Sequence, residues 1–244
     1  MLPEIAAEEL EECVDSVAAA VLEAAGIVDP PVDSIVVARA LGIELGRDDR
    51  QSGRARFVRL GAARGRGGQG AILLGREPRA ERRQWAVAHE IGECWAHRVF
   101  ERLGVDPRAA PVDARETVAN RLASAILLPA EWFAQDGREQ DWDLMTLKAR
   151  YATASHELIA RRMLDFLPDT IITVFDHGKI SLRRGNFGRR PPPLFPIEMR
   201  LWQAVHEQSS VCDLRDGALS VRGWPIHEPG WQREILLTTV EDAD

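Results

Sequence analysis

His89, Glu90 and Glu93 form a His-Glu-x-x-Glu segment in which an imidazole, a neighbouring carboxylate and a second carboxylate follow one another at metal-site spacing. Residues four apart on an α-helix share one face, so His89 and Glu93 can reach a common ion from that face. In the related His-Glu-x-x-His pattern two imidazoles a turn apart bind zinc, and the Glu beside the first takes a proton from the attacking water. Here a carboxylate replaces the second imidazole. His89 and Glu93 are therefore candidate metal ligands, and Glu90 is the candidate catalytic base.

These side chains need a buried helix to position them. Arg82 to His97 reads as one amphipathic helix, and Trp85, Val87, Ala88, Ile91, Cys94 and Trp95 give it apolar surface on most sides. Polar residues on such a helix are costly unless partnered, and one ion satisfies several at once. A second helix, Asp113 to Leu128, puts Glu116, Asn120 and Ala123 along one stripe, with small residues that allow close helix packing. A carboxylate from such a helix is a natural third ligand, and a water would complete a tetrahedron. Two carboxylates cancel the charge of a divalent ion, which lowers its pull on a bound water and makes manganese more competitive with the expected zinc. The competing reading is a metal-free cluster held by hydrogen bonds. His97 lies eight residues and about 12 Å of helix from His89, so it does not replace the missing imidazole. Cys94 points about 140° away from His89 and reads as a buried inert thiol.

The order strand, His-Glu-x-Gly-x, then Glu-Thr-x-Ala-Asn-x-x-Ala-x-x-x-Leu-Leu-Pro resembles the ImmA/IrrE metallopeptidases, soluble bacterial and phage-borne proteins that cleave helix-turn-helix repressors. The matching residues are His89, Glu90, Gly92, His97, Glu116, Ala119, Asn120, Ala123, Leu127, Leu128 and Pro129. The resemblance implies a zincin-like fold over roughly Val32 to Leu167, with His89 as ligand, Glu90 as general base and Glu116 as third ligand. It also implies that the helices from Pro129 to Leu167 include a helix-turn-helix-like pair beside the peptidase core.

Composition narrows the classes. The 244 residues can bury a real core, and a net charge of −7 gives the whole chain no electrostatic footprint for nucleic acid, which is not expected as a direct partner. Cys13, Cys94 and Cys212 are too sparse for a disulfide framework and suggest reduced thiols. No apolar run approaches the roughly 20 residues that span a bilayer, and the N-terminus is acidic where a signal peptide is basic. The expectation is a soluble cytoplasmic protein.

Along the chain, Pro3 to Ala25 reads as a helix ended by Gly26, with its acids on a solvated face. Pro30-Pro31 makes a turn, Asp33 or Ser34 caps a helix from Ile35 to Leu41, and Gly42 stops it. Ile43 to Leu45, Ala55 to Leu60 and Ala71 to Leu74 read as strands, with a glycine-rich loop from Arg64 to Gly70. Arg54, Arg56 and Arg59 beside that loop form a basic patch that reads as solvated. Asp143 to Tyr151 and Ser155 to Leu164 form a helix pair packed through Leu144, Leu147, Leu158, Ile159 and Leu164, with Arg150, Arg161 and Arg162 exposed. Its role reads as structural rather than DNA-reading, and His156-Glu157 reads as a surface pair. Residues 1–167 thus read as the peptidase-like domain.

A boundary falls near Pro168. Residues 168–244 read as a small α+β unit: a hairpin around Asp-His-Gly, a tether at Arg189 to Pro193, a helix from Glu198 to Gln208 and three strands. Trp202, Trp224 and Trp231 read as core or interface anchors, and His206 and His227 as isolated. Docking of substrate or partner is the role expected of this unit. The fold class is α+β throughout. The favoured function is metal-dependent endopeptidase action on a protein substrate, expected to be a repressor; the alternative is a catalytically silent binding module on the same fold.

Overall fold

Helical and alternating apolar stripes both occur in this sequence, and the chain folds accordingly as an α+β protein. A computed structural model describes residues 5–50, 55–59 and 70–240, the side chain of Arg59 apart. Among these residues eight helices and two sheets form, and no helix is long and apolar enough to cross a membrane. Packing divides the chain into two compact units, residues 1–136 with 149–155, and residues 137–148 with 156–244.

In the first unit, α1 (Ala7–Ala24) buries Val14, Val17, Val21 and Leu22, the stripe its periodicity marks. Asp33 caps α2 (Ser34–Ala40) by accepting the backbone N–H groups of Ile35 and Val36, which satisfies two otherwise unpaired helix donors. Gly42, at φ 74°, lets the N–H of Gly42 and of Ile43 return to the Arg39 and Ala38 carbonyls, closing the helix before β1 (Glu44–Arg47). Strands β2 (Ala55–Arg59) and β3 (Gly70–Leu74) complete a sheet of order β1-β3-β2, with β1 parallel and β2 antiparallel to the central β3. The glycine-rich loop expected before β3 lies outside the described residues, Gly70 excepted. Arg56 of the expected basic patch is exposed and pairs with Asp48.

From β3 the chain enters α3 (Ala80–Arg102), 23 residues or about 35 Å long and seven residues longer than its apolar pattern suggested. It ends at Leu103 because Gly104, in the left-handed conformation, turns its N–H back to Glu101 and that of Val105 to Phe100. α3 packs mainly on α4 (Val112–Leu127), and both contact α1. Val87, Ile91, Val99 and Phe100 of α3 join Val118, Leu122 and Ile126 of α4 in one apolar core with α1, α2 and Ile72 of β3. Gln84 ties α3 to α2 through buried hydrogen bonds with Ser34 and one with Asp33. α5 (Ala130–Glu139) follows Pro129. Asp136 on it accepts from Arg150 and from the buried Tyr151 hydroxyl.

In the second unit, a five-stranded antiparallel sheet runs in the order β5-β4-β8-β7-β6. Its strands are β4 (Thr170–Asp176), β5 (Lys179–Gly185), β6 (Cys212–Asp216), β7 (Leu219–Glu228) and β8 (Trp231–Val240). The β4–β5 turn holds His177 and Gly178 at φ 49° and 74°, the tight hairpin that the Asp-His-Gly signal marked. Helix α8 (Pro196–Gln208) lies on one face, where Leu201 and Val205 pack with Phe175, Val221 and Leu236.

Helices α6 (Leu144–Arg150) and α7 (His156–Met163) are the expected pair, and Leu144, Leu147, Leu158, Ile159 and Leu164 are all buried. The reading of their polar residues needs two corrections. Arg162 is buried rather than exposed, because its guanidinium pairs with Asp165 and lies over the Phe166 ring. Glu157 is half-buried and pairs with Arg233 of β8, which also holds Asp176, so His156-Glu157 is not a free surface pair. These contacts group α7 with the sheet, on the far side of the sequence-based boundary at Pro168.

Candidate metal centre

Gly92 is the residue that lets the site assemble. A Cβ at this position would sit 2.5 Å from the carbonyl oxygen of Ala119, so α3 and α4 approach backbone to backbone here. The approach brings the ring of His89 beside the α4 stripe of Glu116 and Asn120. His89 Nε2 lies 3.7 Å from Glu93 Oε1 and 3.7 Å from Glu116 Oε2, and one donor atom from each of the three residues falls within 4.8 Å of the others. Two donors bonded at 2.0–2.2 Å to one tetrahedral ion would stand about 3.4 Å apart, close to these separations. All three side chains predicted as ligands from the sequence are therefore brought together.

Asn120 orients the imidazole. Its amide nitrogen donates to Glu116 Oε1 at 3.1 Å, which turns the amide oxygen toward His89 Nδ1, also at 3.1 Å. An amide oxygen can only accept, so Nδ1 donates to it and Nε2 is the ring nitrogen turned toward the carboxylates. Outer contacts of this kind set both the tautomer and the direction of a histidine ligand. The sequence marked Asn120 as lying on the stripe but not this role; its i, i+4 spacing from Glu116 was the available signal.

Glu90 faces differently from Glu93. It is buried, and its Oε2 accepts the backbone N–H of Phe57 in β2 at 2.5 Å. Burial raises the Glu90 carboxyl above its ordinary pKa, the Glu93 carboxylate adds to this, and the Phe57 N–H and His89 act in the opposite direction. A carboxyl whose proton affinity is raised beside a donor cluster is suited to the part of a general base. The part played by the Phe57 backbone had no sequence signal, since any residue can supply an N–H.

Two of the three donors, Glu93 and Glu116, open onto a cleft of about 810 Å³ that Phe57, His97, Phe100 and Val112 also line. The Glu93 and Glu116 side chains are 49% and 55% exposed and His89 18%, so a substrate can reach them from solvent. His97 also lines the cleft but turns its Nδ1 to the Cys94 carbonyl at 2.9 Å, and it stays outside the donor cluster. Cys94, read as buried, is only half-buried and lines the same cleft, because α3 exposes this side to solvent.

A helix-borne imidazole and carboxylate, joined by a second helix and flanked by a buried glutamate, define a peptidase-like domain. The profile of the family described as the IrrE N-terminal-like domain, peptidase class M78, matches residues 38–164, and the chain belongs to that metallopeptidase family. Among solved structures it resembles a Mycobacterium tuberculosis transcriptional regulator with a TM-score of 0.66 at 15% identity. The likeness covers 95% of this chain and 81% of the other, and it shows a shared fold. No curated protein matches the chain.

One sequence reading is corrected outside this centre. His206 and His227 are not isolated: both imidazoles meet the buried carboxylate of Glu234 in the second unit.

Proposed function

We propose that the chain is a metal-dependent endopeptidase acting on a protein substrate, a helix-turn-helix transcriptional repressor, with His89, Glu93 and Glu116 as ligands and Glu90 as general base. The observation that carries this reading is the convergence of one imidazole and two carboxylates at a cleft wall, beside a buried glutamate with a raised pKa. The donor set fits zinc, and its two carboxylates also suit manganese. When bound, such an ion supplies Lewis acidity that polarises a carbonyl and acidifies water.

The remaining work falls to the chain's own residues. Asn120 holds His89 Nε2 toward the carboxylates. Glu90 takes the proton of the attacking water and returns it to the leaving amine, and its upward-shifted pKa strengthens the carboxylate as the base in the first of these transfers. Phe57, Phe100 and Val112 supply apolar cleft surface for substrate side chains. A fold shared with a chain described as a transcriptional regulator is in keeping with action on a repressor.

The test pairs ion content with cleavage. Glu90→Gln keeps the shape but cannot accept the proton, so it should abolish cleavage of a purified repressor substrate while leaving fold and bound ion unchanged. Cleavage at the wild-type rate would remove Glu90 from the mechanism. The double variant His89→Ala, Glu116→Ala should hold one ion fewer per chain than wild type. An unchanged ion count would favour the silent binding module.

A further inference from the structure

His206 lies in the last turn of α8, His227 comes from β7 and Glu234 from β8. They meet because β8 and α8 run past one another with matched spacing. Glu198 and His206 are eight helical residues or about 12 Å apart. Their partners Thr238 and Glu234 lie four strand residues or about 13 Å apart. Glu234 Oε1 lies 2.8 Å from His206 Nδ1 and 2.7 Å from His227 Nε2, and the three donor atoms fall within 4.8 Å of one another.

We infer that His206, His227 and Glu234 form a second metal site, separate from the cleft, that takes a divalent transition ion of the zinc, cobalt or nickel class. Four observations converge on it. The Glu234 carboxylate is fully buried, and its ion-pair partners among the described residues are the two imidazoles and no arginine or lysine. The two imidazoles reach this carboxylate from different elements, so three donors of metal-ligating type converge on one point. Outer contacts fix each donor: Trp202 Nε1 donates to Glu234 Oε2 at 3.2 Å, and Ser209 Oγ lies 3.1 Å from His227 Nδ1. The Trp202 ring also stacks on His206, 5.6 Å between centroids. Hydrogen bonding to the far imidazole nitrogen and to the second carboxylate oxygen is the arrangement that orients metal ligands. The site has access, since the His206 and His227 side chains are 35% and 20% exposed while the carboxylate forms its floor. Two imidazoles and a carboxylate select a borderline transition ion over magnesium or calcium, which prefer all-oxygen sets, and leave a position open for water or an exogenous ligand.

The site is tested in the full chain with the first centre silenced by His89→Ala, Glu116→Ala and with bound metal stripped by a chelator. Titration with Co(II) should then show one equivalent binding, with the visible d–d absorption of an imidazole and carboxylate site. Adding His227→Gln, or separately His206→Gln, should weaken binding by on the order of a hundredfold, and Ser209→Ala by roughly tenfold, with circular dichroism unchanged. Using both half-exposed histidines keeps the test valid if one variant fails to fold. No Co(II) binding in the silenced background would overturn the site. So would binding that neither histidine variant weakens, or a thiolate charge-transfer band that assigns the ion to a cysteine. Loss of the cleft ion alone would leave this site standing.

Discussion

Gly92→Ala tests the contact on which the cleft site depends. The new methyl carbon would lie 2.5 Å from the Ala119 carbonyl oxygen, against an ordinary contact starting at 3.4 Å, so the helices must part by the difference, about 0.9 Å. The obstacle is backbone within a helix, which cannot swing aside as a side chain can. Overpacking of this kind costs about 1–3 kcal/mol, and the better helix propensity of alanine returns about 0.8–1.0 kcal/mol. The net expectation is a loss of about 1 kcal/mol, or about 2–4 °C in Tm for a chain of this size. The effect on the site should be larger, because metal–ligand distances tolerate only about ±0.2 Å while His89 and Glu116 sit on the two helices being parted. Denaturant unfolding and a metal titration, run beside Gly188→Ala where the added methyl meets nothing within 4 Å, would measure both effects. A Gly92→Ala chain more stable than wild type, with wild-type metal affinity, would refute the argument.

Other substitutions probe neighbouring steps. Glu93→His should raise zinc affinity by restoring a second imidazole and leaving one carboxylate, and Glu93→Ala should lower it; equal affinities in both by calorimetry would take Glu93 out of the ligand set. Asn120→Ala frees the His89 ring and should weaken metal binding about 10–100-fold with little change in fold, whereas unchanged affinity would mean that the ring is held by packing alone. In the second unit burial pushes the Asp176 carboxyl up, but the hydrogen bonds from Arg233 prevail and hold it below the ordinary aspartate range. Its stabilisation is therefore complete above the unfolded value of about 3.9 and fades as pH falls through the folded value. Asp176→Asn should cost about 1.5–3 kcal/mol at neutral pH and flatten the loss of stability on acidification; a parallel acid profile in urea unfolding would contradict this.

Much of the scaffold was legible along the chain. The apolar periodicity of α1 and α3, the Asp33 cap, the glycine stop at Gly42 and the Asp-His-Gly hairpin are local signals, each set by backbone geometry within a few residues. The grouping of His89, Glu93 and Glu116 was legible too, because helical spacing fixes which residues share a face and small residues on α4 announce a close neighbour.

What the sequence determined by itself was therefore element type, helix faces and the donor types in the cleft. Only the tertiary structure decided which polar groups meet across elements. Phe57 of β2 reaches Glu90 through a backbone N–H, which no side-chain pattern encodes. Glu157 looked like a surface residue because its partner, Arg233, lies on β8, 76 residues further along the chain. His206, His227 and Glu234 come from a helix and two strands, and their meeting is set by strand register and by where α8 crosses the sheet. Periodicity reports the face a residue presents to its own element; the partner on the next element is chosen by packing and register, which are properties of the whole fold.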